Sequence, residues 1–249
     1  MKTLTLLKYF VGFMLSLLAA SQLQAQGFID DFNGASVNTN LWQVVLPAGD
    51  SSVTEGGGNV SLQNAGRLVT QSGFSTPYSI YGVFLMSANP FSNFKVMLRT
   101  DGVSNTNYPH TTVLGIEVQS NIEDDNGTLS NNLKIYSQMG SAGVELGVTS
   151  ANLTLDAWHT FLITDDGSNI SLFYDGSSTA SLAVQSSDGV GNKIAFLTRE
   201  GAGVGSSISA NGITKIDSLQ ISPVPEPSSL AILAVGALGL LGIKNRKQI

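Results

Sequence analysis

The feature that most constrains this fold is an alternation of apolar and polar residues with a period of two, which runs from Gly27 to Ser222. Successive side chains of a β-strand point to opposite faces, so this period indicates strands that each have one buried face. Leu114, Ile116 and Val118, for example, fall on one face of such a strand. Outside the two ends of the chain no segment has a sustained helical period, so we expect an all-β fold.

The polar stretches between these runs indicate one antiparallel domain. Residues 159–164 and 169–174 flank an Asp-Asp-Gly-Ser turn, which predicts a hairpin. Charged residues make up only 12% of the chain, a composition that suits short strands better than long helices. Neither a linker nor a tandem repeat interrupts residues 26–222. We therefore predict a single antiparallel β-sandwich or jelly roll over that range.

The first 25 residues are typical of a secretion signal peptide. Lys2 and Lys8 lead into a short apolar run from Tyr9 to Ala20, and Ala25 follows as the candidate cleavage position. The apolar run is short for a membrane span, so cleavage is favoured over a retained anchor.

Residues 223–249 combine three features in a fixed order. Pro225, Glu226 and Pro227 are followed by the apolar segment 230–243 and then by a basic end. A helix over that apolar segment would be roughly 21 Å long, which makes it a short transmembrane helix. The basic end would remain in the cytoplasm, so the domain would be held outside the inner membrane.

The charge of the chain limits its partners. Without the two terminal segments the chain has 7 basic and 17 acidic residues, a net charge of −10. Such a domain does not bind nucleic acid by counterion release. The chain has no cysteine, so disulfides and thiol catalysis are excluded.

The C-terminal segment resembles the PEP-CTERM sorting signal of Gram-negative bacteria. The resemblance implies processing by an exosortase near Pro225, Glu226 and Pro227, and delivery to the cell surface or the exopolysaccharide matrix. The inner membrane would then be only a transient partner of the apolar segment. A simple tail anchor is the alternative.

Four parts of the middle of the chain carry a second resemblance: residues 30–34 with 40–42, residues 81–84, residues 157–161 with 172–176, and the closing strand 215–221. In this order they resemble concanavalin A-like lectin/glucanase domains, which include laminin-G-like domains. The resemblance implies a concanavalin A-like jelly roll whose closing strand pairs beside its opening strand.

Laminarinase-type hydrolases of this superfamily carry Glu-x-Asp-x-x-Glu on one strand, where the carboxylates act as nucleophile and acid. In the corresponding strand of this chain Glu117 is followed by Gln119, and Asn121 or Ile122 takes the place of the second Glu. Amide side chains cannot serve as the general acid. We therefore favour a non-catalytic protein, and a degenerate or unusual glycoside hydrolase is the alternative.

A polar face is the candidate ligand site. Six residues on neighbouring predicted strands lie opposite the apolar side, and they include an aromatic ring of the kind that stacks on sugars. An ordinary solvated outer face is the alternative, which would leave a purely structural matrix protein. The six residues are Arg99, Glu117, Gln119, Lys134, Tyr136 and Gln138.

Other chemistry-bearing residues have structural interpretations. Trp42 and Trp158 lie in the strand motifs and are expected in the core, and His159 beside Trp158 is expected to be a structural strand residue. Two histidines without cysteine form no zinc pattern. The acidic turns 123–127 and 165–167 allow a structural calcium ion, but neither has EF-hand spacing.

Overall fold

The computed structural model describes residues 27–47, 51–64, 66–87, 93–101, 113–123, 129–139, 142–151, 153–187, 189, 191–198 and 213–224. Within these ranges the chain forms fifteen strands and no helix. None of the described residues therefore forms a helix long and apolar enough to cross a membrane. The predicted signal peptide 1–25 and apolar helix 230–243 lie outside the described residues.

All of the described strands pair antiparallel. In chain order they are β1 (Phe28–Asp30), β2 (Trp42–Val45), β3 (Ser52–Glu55), β4 (Val60–Gln63), β5 (Arg67–Thr70), β6 (Tyr78–Met86), β7 (Asn93–Thr100), β8 (Val113–Glu123), β9 (Leu129–Met139), β10 (Ala142–Ser150), β11 (Trp158–Asp165), β12 (Asn169–Tyr174), β13 (Leu182–Gln185), β14 (Lys193–Thr198) and β15 (Ile213–Pro223).

These strands form two sheets that face each other across the core. The eight-stranded sheet has the order β13-β12-β11-β6-β15-β4-β3, with β1 paired to β15. The seven-stranded sheet has the order β10-β9-β8-β7-β14-β5-β2. This arrangement confirms the predicted antiparallel sandwich.

The predicted alternation is seen most clearly in β6, at the centre of the eight-stranded sheet. Ile80, Phe84 and Met86 are fully buried, whereas Tyr81 between them is exposed. Phe84 stacks on Phe94 of the opposite sheet with ring centroids 4.8 Å apart. Burying an aromatic ring of this kind contributes about 1.5–3 kcal/mol, so such contacts across the core hold the sheets together.

The opening and closing strands pair as the resemblance implied. Phe28 lies opposite Ile221 in the β1–β15 register. The next turn is fixed by Trp42, which is fully buried and donates its indole N–H to Asp30 Oδ2 at 2.6 Å. The core position predicted for Trp42 is confirmed.

The predicted hairpin is formed by β11 and β12, and the Asp166 side chain shapes its turn. Asp166 Oδ1 accepts the backbone N–H groups of Ser168 (2.8 Å) and Asn169 (2.6 Å). The prediction for Trp158 was wrong, because this side chain is 46% exposed. In β11 the alternation buries His159 instead.

Candidate functional site on the seven-stranded sheet

The candidate site lies on the outer face of the seven-stranded sheet, which is the face turned away from the eight-stranded sheet. One register row crosses all seven strands, and we call it the charged row because it contains three basic residues and one acidic residue. Its members, from β2 to β10, are Val45, Arg67, Leu197, Lys95, Glu117, Lys134 and Val148.

A second complete row lies two residues away along each strand except β10, where the bulge makes the separation three residues. It is mostly apolar or neutral over the central strands and ends at a tyrosine and a glutamate, so we call it the tyrosine row. Its members, from β2 to β10, are Gln43, Val69, Ala195, Met97, Gly115, Tyr136 and Glu145.

The two rows differ in accessibility along their length. Over the central strands Val69, Met97, Ala195 and Leu197 form a small apolar cluster of their own, and all four are buried. The strands β5, β7 and β14 are therefore covered on both faces. The basic residues of these strands, Arg67 and Lys95, are also buried, and burial lowers the pKa of the Arg67 guanidinium below its usual value.

Toward β9 and β10 the outer face is open. Lys134 Nζ lies 2.9 Å from Glu145 Oε2, and the two side chains are 26% and 46% exposed. This ion pair joins the charged row to the tyrosine row. Val148, at the β10 end of the charged row, is exposed beside it. A ligand can therefore reach hydrogen-bonding groups of both charges at this side of the sheet.

The register brings three of the six predicted residues together. Glu117 lies opposite both Lys95 and Lys134, while Tyr136 lies opposite Glu145 in the adjacent row. Gln119 and Gln138 occupy the register positions beyond the two rows, opposite Asn132 and Val113 respectively.

Arg99 does not join this group, which corrects its predicted place on the polar face. Its backbone has a positive φ of 52°, and the β14–β7 register shifts beside it. The side chain consequently points between the sheets. Arg99 Nε donates to Asp165 Oδ2 of the eight-stranded sheet at 2.9 Å, and a second guanidinium nitrogen donates to Asp165 Oδ1.

Three residues of the two rows were missed in the sequence. Lys95 shares the alternation of Arg99 within β7, so the same pattern could have identified it. Arg67 and Glu145 lie in short or bulged strands where the alternation is weak; β10 changes register between Glu145 and Gly147. Only the pairing of strands distant in sequence brings Arg67 and Glu145 into rows with Glu117.

The histidine of β11 is part of the structure rather than of this site. His159 Nδ1 lies 2.8 Å from Asp175 Oδ2, and Nε2 lies 2.8 Å from the Thr154 carbonyl oxygen. The imidazole also stacks on Tyr174 at a centroid distance of 5.4 Å. These contacts connect β11 to the segment before it, to the end of β12 and to the residue that follows β12.

Calcium binding stays a prediction. Residues 124–127 of the first acidic turn lie outside the described residues. In the second turn the carboxylate of Asp165 is paired with Arg99, and that of Asp166 accepts hydrogen bonds from Ser168 and Asn169. The described ranges contain no group of three His, Cys, Asp or Glu residues suited to a metal ion.

Several solved structures share this architecture. The Bacillus licheniformis β-glucanase has 14% sequence identity and a TM-score of 0.59, over 80% of this chain and 99% of that chain. A prokaryotic β-1,3-1,4-glucanase (lichenase) derived from a mouse hindgut metagenome has 16% identity and a TM-score of 0.58, over 80% and 100%. LamA from Z. galactanivorans, in complex with laminaritriose and laminaritetraose, has 13% identity and a TM-score of 0.56, over 80% and 99%.

At such low identity these likenesses establish the fold alone: the described domain is a concanavalin A-like sandwich with the architecture of β-glucanases. Residues 223–247 match the PEP-CTERM protein-sorting motif. The chain therefore joins a glucanase-like sandwich to a sorting motif that indicates export and processing at the membrane. No curated protein matches the sequence.

Proposed function

We propose that this protein is sorted to the cell surface or the extracellular matrix, where it binds a polysaccharide without cleaving it. The binding site is the open part of the outer face at β9 and β10, together with the neighbouring register position Glu117 of β8. The observation that supports this assignment is the meeting of the charged row and the tyrosine row at the exposed Lys134–Glu145 pair.

The residue types of this area suit a sugar chain. Lys134 and Glu145 offer a donor and an acceptor 2.9 Å apart that can exchange their mutual contact for sugar hydroxyls. Tyr136, opposite Glu145 in the register, is the ring that we assign to stacking. Sugar sites combine such polar groups with an aromatic platform. One neighbour of the same fold, LamA, was solved with glucan oligosaccharides bound.

Binding can be tested with the purified exported protein by affinity electrophoresis in gels that contain mixed-linkage β-glucan, laminarin or xylan. We expect one of these polysaccharides to retard the parent, and Tyr136→Ala and Glu117→Ala to abolish the retardation. Tyr81→Ala is the matched control, because this tyrosine is exposed on the opposite sheet. An equal loss in Tyr81→Ala would show that the proposed face is not the binding site.

The non-catalytic assignment rests on the residues of β8. Gln119 stands where the hydrolase motif has Asp, and Asn121 or Ile122 stands where it has the second Glu, so neither position can deliver a proton to a leaving group. The glucanase architecture supports hydrolysis as a second candidate function. Release of reducing ends from the same polysaccharides, lost in Glu117→Gln, would establish that candidate instead. If the protein neither binds nor cleaves any glycan, it is a structural matrix component.

A further inference from the structure

The two ends of the described chain leave the sandwich side by side. Pro223, the last residue of β15, pairs with Tyr78, and the Val224 N–H donates to the Pro77 carbonyl at 3.0 Å. At the other terminus Gly27 packs so closely on β15 that a Cβ there would lie 2.5 Å from the Ile221 carbonyl oxygen. The sorting motif begins at residue 223, so its first residue ends β15 and its second is hydrogen-bonded to Pro77.

The direct connection between β15 and the sorting motif limits how far the sandwich can lie from the membrane during processing. Only residues 225–229 separate Val224 from the apolar segment 230–243. A fully extended chain of that length spans about 20 Å, of which the headgroup layer takes roughly 5–7 Å. While the apolar segment is in the membrane, the sandwich end that holds Val224 must therefore face the membrane surface.

The same end of the sandwich carries the β11–β12 turn. Asp165, Tyr78 and Pro223 share one register row across β11, β6 and β15, so the turn that follows Asp165 lies at the same end as Val224, with Pro77 between them. We call this surface the tail end; it consists of Gly27, Pro77, residues 166–168 and Val224.

The charge of the tail end disfavours a lipid surface as its contact. Asp166 is exposed. The hydrogen bond from the Asn169 side chain lowers the pKa of Asp166 most, and the one from the Asn169 backbone lowers it further below the usual 3.8, so the carboxylate is ionised at neutral pH. Of the described basic groups near this end, the Arg99 guanidinium is paired with the Asp165 carboxylate, and Lys193 donates to the Gln71 carbonyl at 3.2 Å. Anionic headgroups attract basic surfaces and do not attract an acidic one.

We propose that the tail end docks on the membrane-embedded sorting enzyme while the motif is processed, with the short tether setting the orientation of the sandwich. The enzyme reads a peptide that follows directly on a hydrogen-bonded strand, so it cannot reach the motif without contacting Pro77, Val224 and the Asp166 turn. Of the proposed function this inference uses only the sorting part, so the glycan-binding proposal can fail without affecting it.

The chain has no cysteine, so a single introduced cysteine can carry a photoreactive benzophenone. Ser168→Cys and Ser178→Cys are a matched pair, because both serines are exposed turn residues and they flank β12. The six residues of β12 place them about 20 Å apart. The full-length protein would be illuminated in membranes that contain the sorting enzyme, and adducts with protein and with lipid would be quantified separately.

We expect the label at position 168 to give several-fold more adduct with the sorting enzyme than the label at position 178. A Gly/Ser insertion of about twelve residues between Val224 and Pro225 adds roughly 20 Å of flexible reach and should remove the difference. Equal yields without the insertion would overturn the proposal, as would adducts at position 168 that are mainly with lipid. A preference for position 168 that survives the insertion would overturn the role of the tether.

Discussion

Two ion pairs in this sandwich have opposite surroundings. Arg99 and Asp165 join the two sheets, and their side chains are 9% and 0% exposed. Lys134 and Glu145 join neighbouring strands of one sheet on its outer face and are 26% and 46% exposed. Arg99 and Lys134 were assigned to the same polar face on alternation alone, yet only Lys134 lies there.

The difference separates a structural pair from one that is available to a ligand. The Arg99 guanidinium binds both oxygens of Asp165 and also donates to the Ser186 carbonyl at 3.2 Å. Breaking such a buried arrangement leaves a charge without compensation. The exposed pair can exchange its contact for water or a sugar hydroxyl at little cost in free energy. Stability should therefore depend on the first pair and ligand binding on the second.

The largest expected effect follows from Asp165→Ala. This change leaves the Arg99 charge buried without its carboxylate and removes the acceptor of the Gly167 N–H, which lies 2.9 Å away. We expect the free energy of unfolding to fall by about 3–5 kcal/mol, as for other broken buried pairs. Urea denaturation of the exported protein, followed by tryptophan fluorescence, measures the loss.

A double variant separates the cost of the unpaired charge from the value of the pair. Replacing both partners, as in Arg99→Met with Asp165→Leu, removes the buried charge and should recover much of the lost stability. A double variant as unstable as Asp165→Ala would mean that the pair supplies specific stabilisation that packing cannot replace.

Tyr78 provides a second test of the buried region, through pH. Burial, and then the negative charge of Asp165, raise the pKa of Tyr78 well above its usual 10.0. Below that usual value the hydroxyl is neutral in both states. As the pH rises above it, the unfolded chain loses this proton while the folded chain keeps it, so stability falls toward the raised folded pKa.

We expect Tyr78→Phe to make the alkaline fall in stability shallower, while at neutral pH it changes the free energy of unfolding by about 1 kcal/mol or less. Urea midpoints measured from neutral pH to about pH 11 give the slope. Tyr81→Phe is the matched control, because that ring is 42% exposed on the same strand. Equal slopes for the parent and Tyr78→Phe would contradict the effect of burial.

Breaking the exposed pair of Lys134 and Glu145 should change stability little and weaken ligand binding. Lys134→Gln removes one charge of a partly exposed pair and should change the free energy of unfolding by less than about 1 kcal/mol. The proposed function requires that the same change weaken retardation by the polysaccharide. Denaturation and affinity electrophoresis of one preparation measure both quantities. A variant that is strongly destabilised but binds normally would reverse the roles of the two pairs.

Much of this arrangement could be predicted from the sequence, because period-two alternation is a local property. It placed Val96 and Leu98 in the core and anticipated the hairpin after His159. It failed at Arg99, where a positive φ and a register shift reverse the direction of the side chain. Neither feature has a signal in the sequence, because Arg is not a residue that favours that backbone region.

The two tryptophans show a related limit. Trp42 and Trp158 both lie in motifs typical of the fold, but only Trp42 fills the core. A motif identifies the strand and leaves open which of its two neighbouring large residues turns inward. The rows of the outer face are harder to predict from the sequence, because the bulge in β10 changes the register that places Glu145 next to Lys134.

The smallest expected effect comes from a change at Asp166. This exposed carboxylate is next to the buried Asp165 in the chain, so the two residues compare an exposed charge with a buried one directly. Hydrogen bonds from the Asn169 side chain and backbone lower the pKa of Asp166 below 3.8. A lowered pKa adds stability that is complete above the pKa of the unfolded chain and is lost as the pH falls through the pKa of the folded chain.

Asp166→Asn keeps an oxygen acceptor for the turn and removes that titration. The melting temperatures of parent and variant should therefore differ slightly at neutral pH and converge as the pH falls below 3.8 and through the lowered pKa. A loss as large as that of Asp165→Ala would show that burial is not what separates these two neighbours.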